Sequence, residues 1–244
     1  MDNMIYLSGC RMSGLADNLQ VIASNLANAN TPGFKGTVCD FKAALAAGSP
    51  QEVSETAGGG TALTWPELGS FRLDLSQGPI RRTERQLDFA IRGPAFLVVD
   101  TPAGPRYTRK GRAYADPQGE LKDGAGNRFT SEGGALRIPA GATRIAVASD
   151  GQVSADGRMI GRLKLVDVPK PDAMASEGDA TFRNDGPPAT PATSSEVIQG
   201  AIEESNVNAV REMVTLVCVL RAYEANSQIV RKVDGANGEL IKAA

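Results

Sequence analysis

The chain has 244 residues, with 26 Lys and Arg side chains against 28 Asp and Glu side chains. This length suffices for one or two domains with a sizeable core, and the balanced charge excludes the basic field typical of nucleic-acid-binding proteins. The sequence contains no histidine, which removes the most common general base and metal ligand. Its three cysteines, Cys10, Cys39 and Cys218, lie far apart without metal-ligand spacing, so we expect no metal and no other cofactor.

The first predicted element is one amphipathic helix that begins near Ile5 and stops at residues 31–34 (TPGF). Its apolar residues recur at alternating intervals of four and three, which is the pattern of a coiled-coil seam with one polar lapse. The seam consists of Ile5, Ser8, Met12, Leu15, Leu19, Ile22 and Leu26. Such a narrow stripe cannot bury itself, so the pattern predicts a partner helix. Pro32 cannot continue the helix, and Phe34 can anchor the exit by packing.

The middle of the chain carries the patterns of short strands. Residues 36–67 predict an irregular linker, and residues 68–168 predict a β domain. Apolar runs such as residues 95–99 alternate with turn signals, among them a type I turn at residues 116–119 (DPQG). This arrangement is typical of antiparallel sheets and not of alternating strand–helix units. Residues 169–199 contain several prolines and predict a second linker.

The last predicted element is a helix that begins near residues 205–208 (SNVN) and runs nearly to the end of the sequence. Between Val210 and Leu220 its apolar residues cover more than one stripe, so we expect this helix to be buried on several faces. The N-terminal seam can cover one face, and the surplus predicts contacts with other chains. We therefore expect an α+β fold in which residues 1–35 and 200–244 form a discontinuous coiled-coil domain, with a central, mainly antiparallel β domain.

We predict that the functional surface is an assembly interface on these helices, with no catalytic, cofactor-binding or metal-binding residue. Apolar side chains form its core, and the polar side chains beside them fix the register between packed helices. The predicted interface residues are Leu15, Leu19, Ile22, Leu26, Phe34, Val210, Val214, Val217, Leu220, Arg221, Tyr223 and Glu224.

Seven short motifs occur along the chain, at residues 24–28 (SNLAN), 31–35 (TPGFK), 77–79 (QGP), 87–91 (LDFAI), 107–111 (YTRKG), 205–208 (SNVN) and 221–226 (RAYEAN). Taken together, they resemble the axial-protein family of the bacterial flagellum, which comprises rod, hook and hook-associated proteins. They follow the order of the family over nearly the whole chain. The length of the chain and the TPGF sequence look most like the proximal rod members, whereas the RAYEAN sequence looks closer to distal rod and hook members, which stay the alternative.

The resemblance implies a structural, non-enzymatic subunit of the flagellar basal-body rod in the periplasmic space. It implies helical assembly with other rod subunits, an inner layer of terminal helices and an outward-facing β domain. It also implies export through the flagellar type III apparatus without a cleaved signal peptide, which agrees with the absence of a basic segment at residues 1–3. The sequence has no apolar run near the length of a membrane span.

Two other classes of function compete with this interpretation. A carbohydrate-processing enzyme would need paired carboxylates, for which the candidates are Asp88, Asp116, Glu120 and Asp150. Asp116 and Asp150 lie in turn sequences, where Asp has a local structural role. A glycan-binding module would use exposed aromatic side chains such as Trp65 or Tyr107.

Overall fold

The structure of the protein, a computed structural model, describes residues 2–39 and 71–243. These ranges contain two α-helices and nineteen strands. The pairings whose register is defined among the described residues are antiparallel. The predicted α+β class with a mainly antiparallel β region is therefore confirmed.

The helices are α1 (Asp2–Ala27) and α2 (Ala209–Ala243), and a short 3₁₀ turn spans Pro171–Ala173. The strands are β1 (Thr37–Cys39), β2 (Phe71–Leu73), β3 (Ile80–Arg82), β4 (Phe89–Arg92), β5 (Phe96–Thr101), β6 (Gly104–Thr108), β7 (Tyr114–Ala115), β8 (Leu121–Lys122), β9 (Arg128–Ser131), β10 (Gly134–Ala135), β11 (Ile145–Val147), β12 (Gln152–Ala155), β13 (Arg158–Arg162), β14 (Leu165–Asp167), β15 (Met174–Gly178), β16 (Thr181–Asn184), β17 (Thr190–Pro191), β18 (Glu196–Gln199) and β19 (Ala201–Glu203).

The chain divides into two compact units. The helical unit comprises Met1–Leu26, Thr37–Arg72 and Asn208–Ala244, and the β unit comprises Ala27–Gly36 and Leu73–Val207. Both terminal helices thus belong to the helical unit, whereas the chain enters and leaves the β unit at residues far apart in sequence.

In the helical unit, α2 begins immediately after Asn208. The Asn208 Oδ1 atom accepts a hydrogen bond from the Arg211 amide at 3.1 Å, which satisfies a free donor of the first turn. The predicted start of this helix near the SNVN sequence is confirmed. The helix continues through Gly235 to Ala243, so it runs nearly to the end of the sequence as predicted. Within the described residues, neither helix combines the length and apolarity needed to cross a membrane.

The β unit is organised around β5, the apolar run predicted at residues 95–99. This strand pairs with β6, β9 and β14 in a branched sheet of ten strands. Buried aliphatic and aromatic side chains cover it in two clusters. Phe89 and Phe129 meet edge to face in one cluster at a centroid distance of 5.5 Å, and Phe96 and Phe182 meet similarly in the other at 6.0 Å.

Residues 169–199 differ from the linker that the prolines predicted. β15, β16 and β18 lie within this segment, β16 pairs with β6, and β18 pairs with β4. The prolines fit because Pro191 lies in a two-residue strand and Pro187 lies between strands, where the missing amide donor is tolerated. Residues 41–47, whose sequence predicts a short helical turn, lie outside the described residues, as do most of the first linker and Trp65.

Candidate functional site

Four segments of the β unit meet where the chain enters and leaves this unit. They are residues 31–36, 74–79, 107–111 and 203–206, and we name this meeting point the junction. It contains the TPGFK, QGP and YTRKG sequences and the first half of the SNVN sequence. Motifs that are scattered along the chain are therefore neighbours in space.

Main-chain hydrogen bonds join the entering segment, the leaving segment and the segment between them. The Gly33 amide donates to the Glu203 carbonyl at 2.8 Å, and the Glu204 amide donates to the Pro79 carbonyl at 2.8 Å. The Asp74 amide donates to the Gly36 carbonyl at 2.7 Å. The two ends of the β unit are thus held together directly.

The glycines of the junction allow the backbones to approach closely. Gly33 has a φ of +72°, and a Cβ atom added there would lie 2.4 Å from the Lys110 amide nitrogen. A Cβ atom on Gly78 would lie 2.1 Å from the Glu204 carbonyl oxygen. Contacts shorter than 3 Å with backbone atoms require the backbone to move, so these positions favour glycine.

The centre of the junction is a buried triad of charged side chains, Lys35, Arg109 and Glu203. Their side chains are 0%, 2% and 0% exposed. The Lys35 ammonium lies 2.5 Å from Glu203 Oε1, and Arg109 Nη1 lies 3.3 Å from Glu203 Oε2. Lys35 also donates to the Ser76 carbonyl at 2.6 Å, and Glu203 Oε1 accepts from the Gly78 amide at 2.9 Å. One carboxylate therefore serves two cations and one amide.

Burial dominates the electrostatics of the triad. Burial lowers the pKa of Lys35 below its ordinary value, although the adjacent Glu203 carboxylate opposes this change. Burial also lowers the pKa of Arg109, again against the attraction of Glu203. The Arg109 guanidinium lies 4.7 Å from the centre of the Phe96 ring, which gives it a cation–π contact. Two buried cations thus depend mainly on one buried anion.

At two points, the side-chain amide of an asparagine forms hydrogen bonds with backbone groups, as a neighbouring strand would. Asn206 Oδ1 accepts from the Gly36 amide at 2.9 Å, while its Nδ2 donates to the Asp74 carbonyl at 2.7 Å. In the helical unit, Asn25 Oδ1 accepts from the Thr37 amide at 2.9 Å and its Nδ2 donates to the Thr37 carbonyl at 2.8 Å. An Asn side chain offers both a donor and an acceptor, so it can bind the backbone as a strand does.

In the helical unit, the less exposed faces of both helices follow heptad spacing. On α1 the buried side chains are Asn18, Ile22 and Asn25, at intervals of four and three. On α2 the buried or half-buried side chains at such intervals are Glu212, Leu216, Val219, Tyr223, Asn226 and Val230. Three asparagines are among the buried residues, a feature that the apolar periodicity did not predict.

A second face of α2 is apolar and exposed. We name it the exposed stripe, and it consists of Val210, Met213, Val214, Val217 and Leu220. Their side chains are between 42% and 72% exposed. The stripe is about 16 Å long at the α-helical rise of 1.5 Å per residue. Beyond Leu220 the same face carries exposed polar side chains, including Arg221, Glu224 and Gln228.

The structure places the predicted interface residues in three environments. Ile22 and Phe34 are buried, Leu15, Leu19, Leu26 and Tyr223 are half-buried, and Val210, Val214, Val217, Leu220, Arg221 and Glu224 are exposed. Phe34 belongs to the β unit and lies in the junction, whereas the others belong to the helical unit. Their contribution to assembly stays a prediction.

Local contacts engage the carboxylates that an enzyme would need. Asp88 is buried, with Arg85 and Arg112 nitrogens at 3.8 and 3.9 Å. Asp116 Oδ1 accepts from the Gln118 and Glu120 amides, as a turn residue does, and a hydrogen bond from Lys122 lowers its pKa.

The remaining candidates have structural contacts too. Glu120 accepts a hydrogen bond from Arg137, and Asp150 accepts one from Arg162. Tyr107 is half-buried and packs against the cluster that contains Phe96. These groups therefore have structural partners in the β unit.

Comparisons with known proteins match both ends and the middle of the chain. A family described as "Flagella basal body rod protein" matches residues 5–35. "Flagellar hook protein FlgE/F/G D1 domain" matches residues 90–155, and "Flagellar basal body rod FlgEFG protein C-terminal" matches residues 198–242. The first and last ranges include Lys35 and Glu203 of the buried triad.

Full-length relatives carry the same names. The chain is 33% identical to the "Flagellar basal-body rod protein FlgF" of Rhizobium meliloti over 99% of this chain and 98% of the relative. It is 33% identical to the protein of that name from Caulobacter vibrioides over 100% and 97% of the two chains. It is 30% identical to the "Flagellar basal-body rod protein FlgG" of Bacillus subtilis over 97% of each.

Proposed function

The chain belongs to the flagellar basal-body rod protein family and is similar to its FlgF members, and from this premise we propose how the subunit assembles. It is a structural subunit of the bacterial flagellar basal body. Membership in the family implies assembly with other rod components.

The proposed assembly surface is the helical unit. α1 and α2 form a coiled coil through their less exposed faces, and the exposed stripe of α2 contacts a neighbouring rod subunit. The observation that carries this proposal is the exposed stripe itself, because five large apolar side chains on one helix face are favourably removed from water. Heterologous contacts of this kind generate a helical tube when they do not close into a ring.

The proposed position is the proximal rod, in the periplasmic space. The subunit reaches it through the flagellar type III export apparatus, without a cleaved signal peptide. The FlgF relatives support the proximal position. A distal rod position is the alternative, and the FlgG relative from Bacillus subtilis favours it.

The replacement Val214→Asp tests the assembly surface. The Val214 side chain is 61% exposed, so we expect the free energy of unfolding of the monomer to change by no more than about 0.5 kcal/mol. We expect incorporation into rods to fail, because a carboxylate in the middle of the stripe loses its water on contact with a neighbour. Motility, secreted subunit and subunit in purified basal bodies are measured in cells that lack the unmodified protein.

Gln228→Asp is the matched control. Gln228 is exposed on α2 and lies two heptads after Val214, where the same face is polar. This replacement adds the same charge outside the exposed stripe, so motility and incorporation should persist. Normal rods built from the Val214→Asp protein would contradict the proposed surface.

A further inference from the structure

The last segment of the β unit supplies partners to segments that precede it by more than a hundred residues. β19 pairs with β3, with Glu203 opposite Ile80. Gly200 joins the same region, since its amide donates to the Asp88 carbonyl at 2.7 Å and its carbonyl accepts from the Thr83 amide at 2.7 Å. We name residues 200–206 the closing segment. It reaches both the entering segment and the strands near the start of the β unit.

The closing segment also brings the anion of the buried triad. Lys35 and Glu203 are 168 residues apart in sequence. Without Glu203, the Lys35 and Arg109 cations would share the same buried site, and no other carboxylate of residues 2–39 and 71–243 forms an ion pair with them. Removing one partner from a buried charge pair is strongly destabilising, because the remaining charge has lost its water. When the closing segment is detached, the Gly33 amide loses the Glu203 main-chain carbonyl as its acceptor. The Gly78 amide loses the Glu203 carboxylate at the same time.

We propose that the closing segment controls completion of the β unit, so that this unit acquires its stable fold only after residues 200–206 join it. The device is electrostatic: the early part of the chain brings two cations to the buried site, and the late part brings the anion. Because synthesis proceeds from the N-terminus, the β unit stays without a stable junction until most of the chain exists. The subunit therefore remains unfolded for export, a consequence that rests on the proposed function.

Ordinary fraying of a terminal strand would give a different pattern of amide hydrogen exchange. Fraying would expose only the amides that bond to the closing segment, while the remainder of the β unit stayed protected. If the closing segment controls completion of the β unit, amides far from this segment should exchange faster whenever the segment detaches. Two such reporters are the Ile138 amide, which donates to the Gly119 carbonyl at 2.8 Å, and the Lys164 amide, which donates to the Thr130 carbonyl at 3.0 Å.

The test is amide hydrogen exchange in full-length Glu203→Gln protein. The replacement removes the charge but keeps an oxygen that can accept from the Gly78 amide. We expect exchange at Ile138 and Lys164 to accelerate by about 100-fold or more, as for the loss of one partner of a buried charge pair. Glu204→Gln is the control, because the neighbouring Glu204 carboxylate pairs with Arg81 at a partly exposed site. Its exchange should stay within about threefold of the unmodified protein.

A double replacement keeps the test decisive when Glu203→Gln protein does not fold. Lys35→Met in the same chain removes one of the two orphaned cations, so the doubly substituted protein should regain protection at both reporters. Unchanged exchange at Ile138 and Lys164 in a folded Glu203→Gln protein, with fast exchange confined to residues 200–206 and the groups that they contact, would overturn the proposal. A double variant no better protected than the single variant would also overturn it. Neither result bears on assembly through the exposed stripe.

Discussion

Replacing Gly33 with alanine isolates the close approach between two backbones in the junction. Gly33 has a φ of +72°, so an alanine there first adopts a left-handed conformation, which costs about 1–2 kcal/mol. Its Cβ atom would also lie 2.4 Å from the Lys110 amide nitrogen and 2.6 Å from the Arg109 carbonyl carbon. Both are backbone atoms, so no side-chain rotation relieves the contact.

The size of the effect follows from adding these two penalties. Overpacking a tight site costs about 1–3 kcal/mol, so we expect Gly33→Ala to lower the free energy of unfolding of the β unit by about 2–5 kcal/mol. Gly126→Ala is the matched control, because Gly126 has a φ of +88° and nothing within 4 Å of an added Cβ atom. That replacement adds only the conformational penalty of about 1–2 kcal/mol.

Urea denaturation followed by circular dichroism measures both variants against the unmodified protein. The expected result is a clearly larger decrease for Gly33→Ala, with a similar dependence of the free energy on urea concentration in all three proteins. Equal decreases for the two variants would refute the reasoning, because the close contact with residues 109–110 would then contribute nothing. A smaller decrease for Gly33→Ala would refute it as well.

Two further predictions address the helical unit and the triad. Leu19→Asp places a charge on the half-buried face of α1, so we expect secretion to persist and incorporation into rods to fail; purified rods that contain this variant would contradict the prediction. Burial lowers the pKa of Lys35 in the folded protein below its ordinary value of 10.5. At pH values between the pKa of the folded protein and that of the unfolded chain, the unfolded chain binds more protons, so stability rises with pH there. Lys35→Met removes this rise, so the difference in unfolding free energy between the two proteins should change as the pH rises toward 10.5, in favour of the unmodified protein. Urea titrations at several pH values measure this difference in unfolding free energy. A difference that does not change with pH would show that Lys35 does not cause the rise in stability.

Local patterns in the sequence predicted much of the secondary structure. The seven-residue repeat predicted α1, and the SNVN sequence predicted where α2 begins. The apolar run at residues 95–99 predicted β5, and the DPQG turn forms, with the Gly119 amide bonded to the Asp116 carbonyl at 2.8 Å. These features depend on neighbouring residues, so their signals are short-range.

The prediction failed where short strands contain or adjoin prolines. Residues 169–199 contain β15 to β18, although their composition resembles a linker. A two-residue strand such as β17 has no periodicity of its own, and only its partner β14 defines it. The interface prediction likewise identified the apolar residues of α2 but not their division between two faces, because exposure depends on what each face contacts.

The sequence alone determined the kinds of element, their order and the family resemblance, because periodicity, caps and motifs are written in consecutive residues. Only the tertiary structure shows which residues of different motifs contact one another. Lys35, Arg109 and Glu203 look like ordinary surface charges in the sequence, yet all three are buried in one site. Lys35 and Glu203 are 168 residues apart, and no local pattern specifies such a pairing. Folding brings the two ends of the β unit together, and exclusion of water makes their charges interdependent.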